Sequence, residues 1–262
     1  MALFSFLQSG KPNILKEMGF VYDQDGIIER YAREKSAWDI HLANSKQTIL
    51  EAVERYKPST IAILGSGWLL DVPIDELSSL CSAVYLYDIV HPPQIKHKVS
   101  KYSNVHTIDA DITGGAIRKT WDAFQLWKTK GIEIDLISIQ ENCFNPVVQP
   151  DMVVSLNILN QLDILICDFL LDQTTLLDEN VHSLRVAIQQ KHIEYLQKQA
   201  FCLISDVEEI VVDLDTLQES TRSLVLTSLP QTDYNKEWQW QFDSNGNYYE
   251  GKRVCFNVKA MY

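Results

Sequence analysis

Apolar and aromatic positions between Glu29 and Tyr56 fall at Tyr31, Trp38, Leu42, Ile49, Val53 and Tyr56, in steps of three, four or their sums. That spacing lays one apolar stripe along a long amphipathic helix, which Pro58 closes. Residues 1–28 show no comparable period and read as a loose lead-in or flap. Beyond Pro58 the pattern changes. Short apolar runs predict strands at 60–65, 83–88, 105–109, 151–156 and 201–204. Between them lie helical stretches at 73–80, 114–130 and 176–199, and a short segment at 93–101. In the last helix Leu177, Val181, Leu184, Ile188 and Tyr195 share a face. Strands alternating with helices predict a parallel sheet covered on both sides. Asp206-Val-Glu-Glu209 reads as the start of a further helix, and residues 131–150, with Pro146 and Pro150, as a surface loop with an extra turn or strand.

The last forty residues switch to period two. Trp238, Trp240 and Phe242 alternate with Glu237, Gln239 and Gln241; after Asn245-Gly246, Val254, Phe256, Val258, Ala260 and Tyr262 alternate with polar neighbours. This predicts an antiparallel hairpin, with a loop longer than two residues because the stretch from Asn245 to Gly251 is polar and irregular.

Three strand ends carry the chemistry. The first run breaks into Gly65-Ser66-Gly67, a loop that a ligand can approach closely. The second ends in Asp88 and the third runs into Asp109-Ala-Asp111, an arrangement suited to a nucleoside. A dinucleotide fingerprint needs a third glycine at position 70, where this chain has leucine, and Pro73 delays the next helix. Asp71, Asp75 and Glu76 crowd that helix start with negative charge, which competes with phosphate. The loop therefore suits a ligand without pyrophosphate, one carrying positive charge. S-adenosylmethionine answers that description. Asp88 would accept from the ribose hydroxyls and Asp111 from the adenine amino group, with Ile89 and Ile112 as apolar faces for the ring. The plainer reading of both aspartates is that they cap turns or helices.

The 262 residues carry 35 Asp and Glu against 23 Lys and Arg, a net charge of −12, which argues against nucleic acid as a partner. Five cysteines are scattered with no CxxC pair, and six histidines fall in no ligand spacing, so no metal site is expected. The first seven residues lack the basic start of a secretory leader, and the apolar run at 164–171 is too short to span a bilayer. A cytoplasmic location is the expectation.

The run from Ile61 to Thr113, with Gly65-Ser-Gly67, Asp88 and Asp109-Ala-Asp111, resembles the cofactor half of class I S-adenosylmethionine-dependent methyltransferases. Asp151-Met-Val-Val-Ser-Leu-Asn157 resembles that family's strand facing the transferable methyl, and the hairpin resembles its antiparallel ending. More narrowly, Leu-Gly-Ser-Gly-x-Leu-Leu-Asp-Val-Pro, Asp88-Ile-Val-His-Pro and Ser155-Leu-Asn-Ile-Leu-Asn-Gln161 resemble a bacterial methyltransferase-like group without an assigned substrate. The chain departs from the family at Ile63, where an acid is frequent, and at Leu69, where a third glycine is frequent.

The resemblance implies a Rossmann-like, doubly wound α/β fold. Its mostly parallel seven-stranded sheet ends in the antiparallel hairpin, with residues 1–58 as a helical extension or cover and 59–262 as the cofactor-binding domain. It implies methyl transfer to a small-molecule or protein acceptor. Asn157 and Gln161 would border the methyl, and Trp38 and His41, three apart on the first helix, would close over the cleft. The bland reading is that Asn157 ends its strand and that Trp38 and His41 only pack. His91, before two prolines, reads as a turn residue. The hairpin edge and the first helix are both surfaces on which a homodimer can form. Two other readings stay open: an NAD-dependent oxidoreductase using the same Gly-x-Gly and Asp88, and a methyltransferase-fold binding protein without catalysis.

Overall fold

A computed structural model describes residues 13–141 and 143–262; the leader reading at residues 1–7 lies outside them. The described residues begin with a one-turn helix α1 (Ile14–Glu17) and a long helix α2 (Phe20–Tyr56), bent where Glu34 leaves helical geometry at φ −106°, ψ 18°. Strands and helices then alternate: β1 (Thr60–Leu64), α3 (Ile74–Leu80), β2 (Ala83–Asp88), α4 (Pro93–Val99), β3 (Val105–Asp109), α5 (Ala116–Lys130), α6 (Leu136–Ile139) and β4 (Met152–Leu156). After a 3-10 turn (Leu159–Gln161) come α7 (Ile164–Gln173), α8 (Asp178–Leu196), β5 (Ala200–Asp213), β6 (Glu219–Ser223), β7 (Asn235–Asp243) and β8 (Lys252–Met261).

The strands form one sheet in the order β3-β2-β1-β4-β5-β8-β7, with β6 paired to β5 outside that path. The pairs β3-β2, β2-β1, β1-β4 and β4-β5 are parallel, and β8 runs antiparallel to both β5 and β7. This is a Rossmann-like, doubly wound α/β fold. Residue parity sorts the core into two layers. On β1, Ile61 and Ile63 point into a cluster shared with α2, α3 and α4, while Ala62 and Leu64 point into one shared with α5, α7 and α8. A strand buried on both faces reads as a continuous apolar run, which is the form of this one.

The structure corrects several expectations. Among the described residues there are eight strands where seven are expected: β6, Glu-Ser-Thr-Arg-Ser, is exposed at every position and so carries no apolar alternation. Asp206-Val-Glu-Glu209 does not start a helix but continues β5, because β8 and β6 pair with its two edges there. The long helix α2 begins at Phe20 rather than Glu29. The extra turn expected within residues 131–150 is the one-turn α6.

Helix α2 shares its core with the sheet. Trp38 is buried, stacks on Phe242 at 5.5 Å between centroids, meets Trp240 edge-on at 4.8 Å, and donates its indole N–H to the Phe242 carbonyl at 3.0 Å. Among the described residues no helix is long and apolar enough to cross a membrane.

Candidate functional site

The strand order reverses between β1 and β4, and in open parallel sheets a crevice forms at the carboxyl ends beside such a reversal. A cavity of about 260 Å³ lies there. Its walls come from the β1–α3 loop, the ends of β2, β3 and β4, the 3-10 turn, and the N-terminal half of α2.

Gly65 is fixed by geometry. Its φ is +83°, and a Cβ there would sit 2.7 Å from the Leu156 carbonyl oxygen and 3.0 Å from Ile158 Cβ. Only glycine lets β1 pass that close to the end of β4. Gly67, at φ +42°, donates its N–H to Asp88 Oδ2 at 2.7 Å, and Ile89 N–H donates to Asp88 Oδ1 at 2.8 Å. Asp88 thus braces the glycine loop, while each carboxylate oxygen retains free lone pairs. Burial raises its pKa and the Gly67 N–H opposes that rise. Leu69, where the resembled family often has glycine, keeps a left-handed φ of 55° with its side chain buried in the core. Ile63, where an acid is frequent, is core as well.

Behind the loop lies a polar brace that the sequence reading missed. His91 is buried. Its Nε2 sits 2.9 Å from Ser66 Oγ and its Nδ1 sits 2.7 Å from Asp109 Oδ1, whose other oxygen accepts from Lys96 Nζ at 2.7 Å. The turn role expected of His91 is therefore incomplete: it ties the β1 loop to the end of β3. The residue types match a hydrolytic triad, but Ser66 is 1% exposed and its hydroxyl lies 3.3 Å from the Tyr87 carbonyl, so it braces rather than attacks.

Asp111 caps the turn into α5: its Oδ1 accepts from the Thr113 N–H at 2.8 Å and from the Thr113 hydroxyl. It also lines the cavity, as do Ile89, Ile112, Asn157 and Gln161. Trp38 and His41 line it too, together with Phe20, Asp23, Gln24 and Arg30 of the same helix. Gln24 fastens α2 across the crevice, donating to the Val90 carbonyl at 2.6 Å and accepting from Trp68 Nε1 at 2.8 Å. Every residue singled out from the sequence as a cofactor or acceptor contact thus faces one cavity.

Four residues form a linked set at the end of β4. The Asn157 side-chain amide lies 2.8 Å from Asp71 Oδ2 and 3.1 Å from His41 Nε2, while Trp238 donates its indole N–H to His41 Nδ1 at 3.1 Å. An indole N–H only donates, so His41 Nδ1 accepts and its proton sits on Nε2. Burial holds the ring neutral, its pKa pushed down to about 3. With its nitrogen toward Asp71, the Asn157 amide satisfies an ionised Asp71 but sets two donors against each other at His41, and its Oδ1 stays buried without a partner. Reversing the amide satisfies His41 and requires a protonated Asp71, whose pKa burial raises to about 6. Asn157 itself holds a left-handed φ of 49°, so it ends the strand and links the site at once.

Asp206 and Asn160 also line the cavity; both are buried, and both have an oxygen without a hydrogen-bond partner. Burial raises the Asp206 pKa to about 7. The signal that marks Asp88, an acid directly after an apolar strand, is equally present at Asp206. Reading Asp206 as a helix start hid it. Arg30 is the only Lys or Arg lining the cavity among the described residues, against five aspartates (Asp23, Asp71, Asp88, Asp111, Asp206). No group of three or more metal-ligating side chains occurs among the described residues.

Neither a family model nor a curated protein matches this chain. Among solved structures it is similar to the N-methyltransferase NodS from Bradyrhizobium japonicum WM9 in complex with S-adenosyl-L-homocysteine, at 10% identity over 83% of this chain and 85% of that one, with a TM-score of 0.35. It is similar to a Burkholderia thailandensis 1,6-didemethyltoxoflavin-N1-methyltransferase, at 8% identity over 98% and 94%, TM-score 0.41. It is also similar to DhpI in its SAH complex, at 12% identity over 95% and 98%, TM-score 0.37. These likenesses are distant.

Proposed function

We propose that this chain is an S-adenosylmethionine-dependent methyltransferase acting on a small-molecule or protein acceptor. The observation that carries the reading is the convergence of the Gly65–Gly67 loop, Asp88 and Asp111 on one cavity at the reversal of strand order. The charge of that cavity fits the cofactor. Five aspartates against one arginine suit a sulfonium and an ammonium, and they repel a pyrophosphate. The helix start that would hold a pyrophosphate is also missing: α3 begins only at Ile74 and carries Asp75 and Glu76 in its first turn. That weighs against an NAD-dependent oxidoreductase.

In this reading Asp88 accepts from the ribose hydroxyls, Asp111 from the adenine amino group, and Ile89 and Ile112 cover the ring. Gly65, Ser66, Gly67 and Asn157 form the wall at the methionine end. When bound, the cofactor supplies a methyl group on a cationic sulfur, open to direct displacement. The work left to the chain is alignment and exclusion of water. The cleft-facing half of α2 does the second task, with Trp38, His41 and Gln161 reserved for the acceptor, and Gln24 pinning the helix across the crevice. Calorimetric titration with S-adenosylhomocysteine and, separately, NAD tests the proposal. Saturable binding of the first and none of the second is expected; the reverse, or no binding of either, overturns it.

A further inference from the structure

Strand β5 contains one irregularity, and it lies at the cavity. Pairing with β8 runs Asp206 to Val258 and then Glu208 to Asn257, so Val207 is an extra residue without a partner. Before this bulge Cys202, Ile204 and Asp206 point to the α2 side of the sheet; after it Glu209 and Val211 do. Bulges of this kind re-aim side chains beside functional sites. Here it leaves Asp206 2% exposed, against a cavity lined by Trp38, Trp240, Phe242 and Phe256, with Oδ1 lacking any hydrogen-bond partner. The neighbouring Asn160 side chain hydrogen-bonds to the Asp206 carboxyl, which leaves its own Oδ1 buried and unpartnered as well. Two orphaned acceptors in one aromatic-lined cavity call for a donor from outside the chain, because a buried acceptor left unmade is costly.

We propose that the methyl acceptor is an amine, bound in its ammonium form with one N–H aimed at Asp206 Oδ1 and another at Asn160 Oδ1, and that Asp206 takes the first of these protons. The inference rests on the methyltransferase reading above. In the proton transfer the N–H bond breaks, its electron pair stays on nitrogen as a lone pair, and the proton ends on Oδ1. An ammonium and a carboxylate become a neutral amine and a carboxylic acid. The burial that lifts Asp206 to about 7 makes it a far stronger base than an ordinary carboxylate. The charged and titratable groups facing this corner are Asp71 from the β1–α3 loop and His41, Arg30 and Asp23 from α2; β7 and β8 present Trp240, Phe242, Phe256 and Val258. His41 is not a competing base, since its Nε2 carries the ring proton and its Nδ1 accepts from Trp238.

Benzylamine and benzyl alcohol, nearly equal in shape, serve as probes, followed by saturation-transfer NMR with and without S-adenosylhomocysteine. At pH 8 the amine is expected to bind the wild type about tenfold more tightly than the alcohol, as one charge-assisted contact allows. That preference is expected to shrink at pH 5.5, where Asp206 is protonated. Asp206→Asn should remove the preference while S-adenosylhomocysteine affinity stays; Asp122→Asn, on the exposed face of α5 and away from the cavity, should keep it. Equal binding of the two probes by the wild type, or an undiminished preference in Asp206→Asn, overturns the proposal. The wild-type comparison across pH stands even if the variant misfolds. Failure of the cofactor reading shows separately, as absent S-adenosylhomocysteine binding, while the probe measurement without it still reports on the amine.

Discussion

Replacing Asp88 separates its two tasks, bracing the glycine loop and holding the ribose. In Asp88→Ala the Gly67 and Ile89 N–H groups, now 2.7 and 2.8 Å from carboxylate oxygens, both lose their acceptor. Leaving a buried donor unmade costs about 1–3 kcal/mol, but this cleft is open enough for water to replace part of that. A total of about 2 kcal/mol is expected, a melting point lower by roughly 4–8 °C for a chain of this size. In Asp88→Asn one amide oxygen can still accept from Gly67, so most of that loss is recovered. Cofactor binding behaves differently, because a charge-assisted ribose contact is lost in both variants. At about 1.5–3 kcal/mol per such bond, affinity for S-adenosylhomocysteine should fall roughly tenfold to a hundredfold or more. Calorimetry and thermal melts on the three proteins read both effects. If Asp88→Asn binds S-adenosylhomocysteine within about twofold of wild type, the ribose assignment is wrong. If Asp88→Ala melts where wild type does, the loop brace contributes nothing.

Gly65→Ala should destabilise by about 2 kcal/mol or more in urea unfolding, since its Cβ meets the Leu156 carbonyl at 2.7 Å and its φ of +83° suits only glycine; an unchanged midpoint contradicts this close approach. Trp38→Phe keeps much of the stacking on Phe242 but loses the indole hydrogen bond and some volume, so a loss of about 1–3 kcal/mol is expected by the same measurement. Asp206 binds its proton more tightly when folded, so its contribution to stability falls as pH rises from about 4 and levels off above about 7. Asp206→Asn should therefore gain on wild type across that window, by up to about 4 kcal/mol at pH 8, and parallel stability curves would refute the burial argument. His192 titrates in the opposite sense: held neutral by burial, its pKa pushed down to about 4, it favours folding above pH 6.5 and loses that contribution as pH falls. His192→Gln should accordingly soften acid unfolding between pH 6 and pH 4.

The sequence alone determined the parallel sheet, the hairpin and the strand ends that bear Gly65, Asp88, Asp111 and Asn157. Those features are local: an apolar run is buried on both faces, a period of two is a half-buried strand, and the residue after either must be polar or turn. It did not disclose β6, whose five exposed residues have no pattern to read. Nor did it extend β5 through Asp206, where a bulge cancels the alternation and pairing from two sides outweighs the local helix signal. The partnerships within the site were beyond it entirely. Ser66 with His91 and Asp109, Asp71 with Asn157 and His41, and Trp238 behind His41 join residues 18 to 197 positions apart. Each is legible as a polar residue at the end of an apolar run, but only the closed sheet brings those ends together. The burial that shifts Asp71, Asp206 and His41 arises from the same closure, with α2 fastened over the crevice.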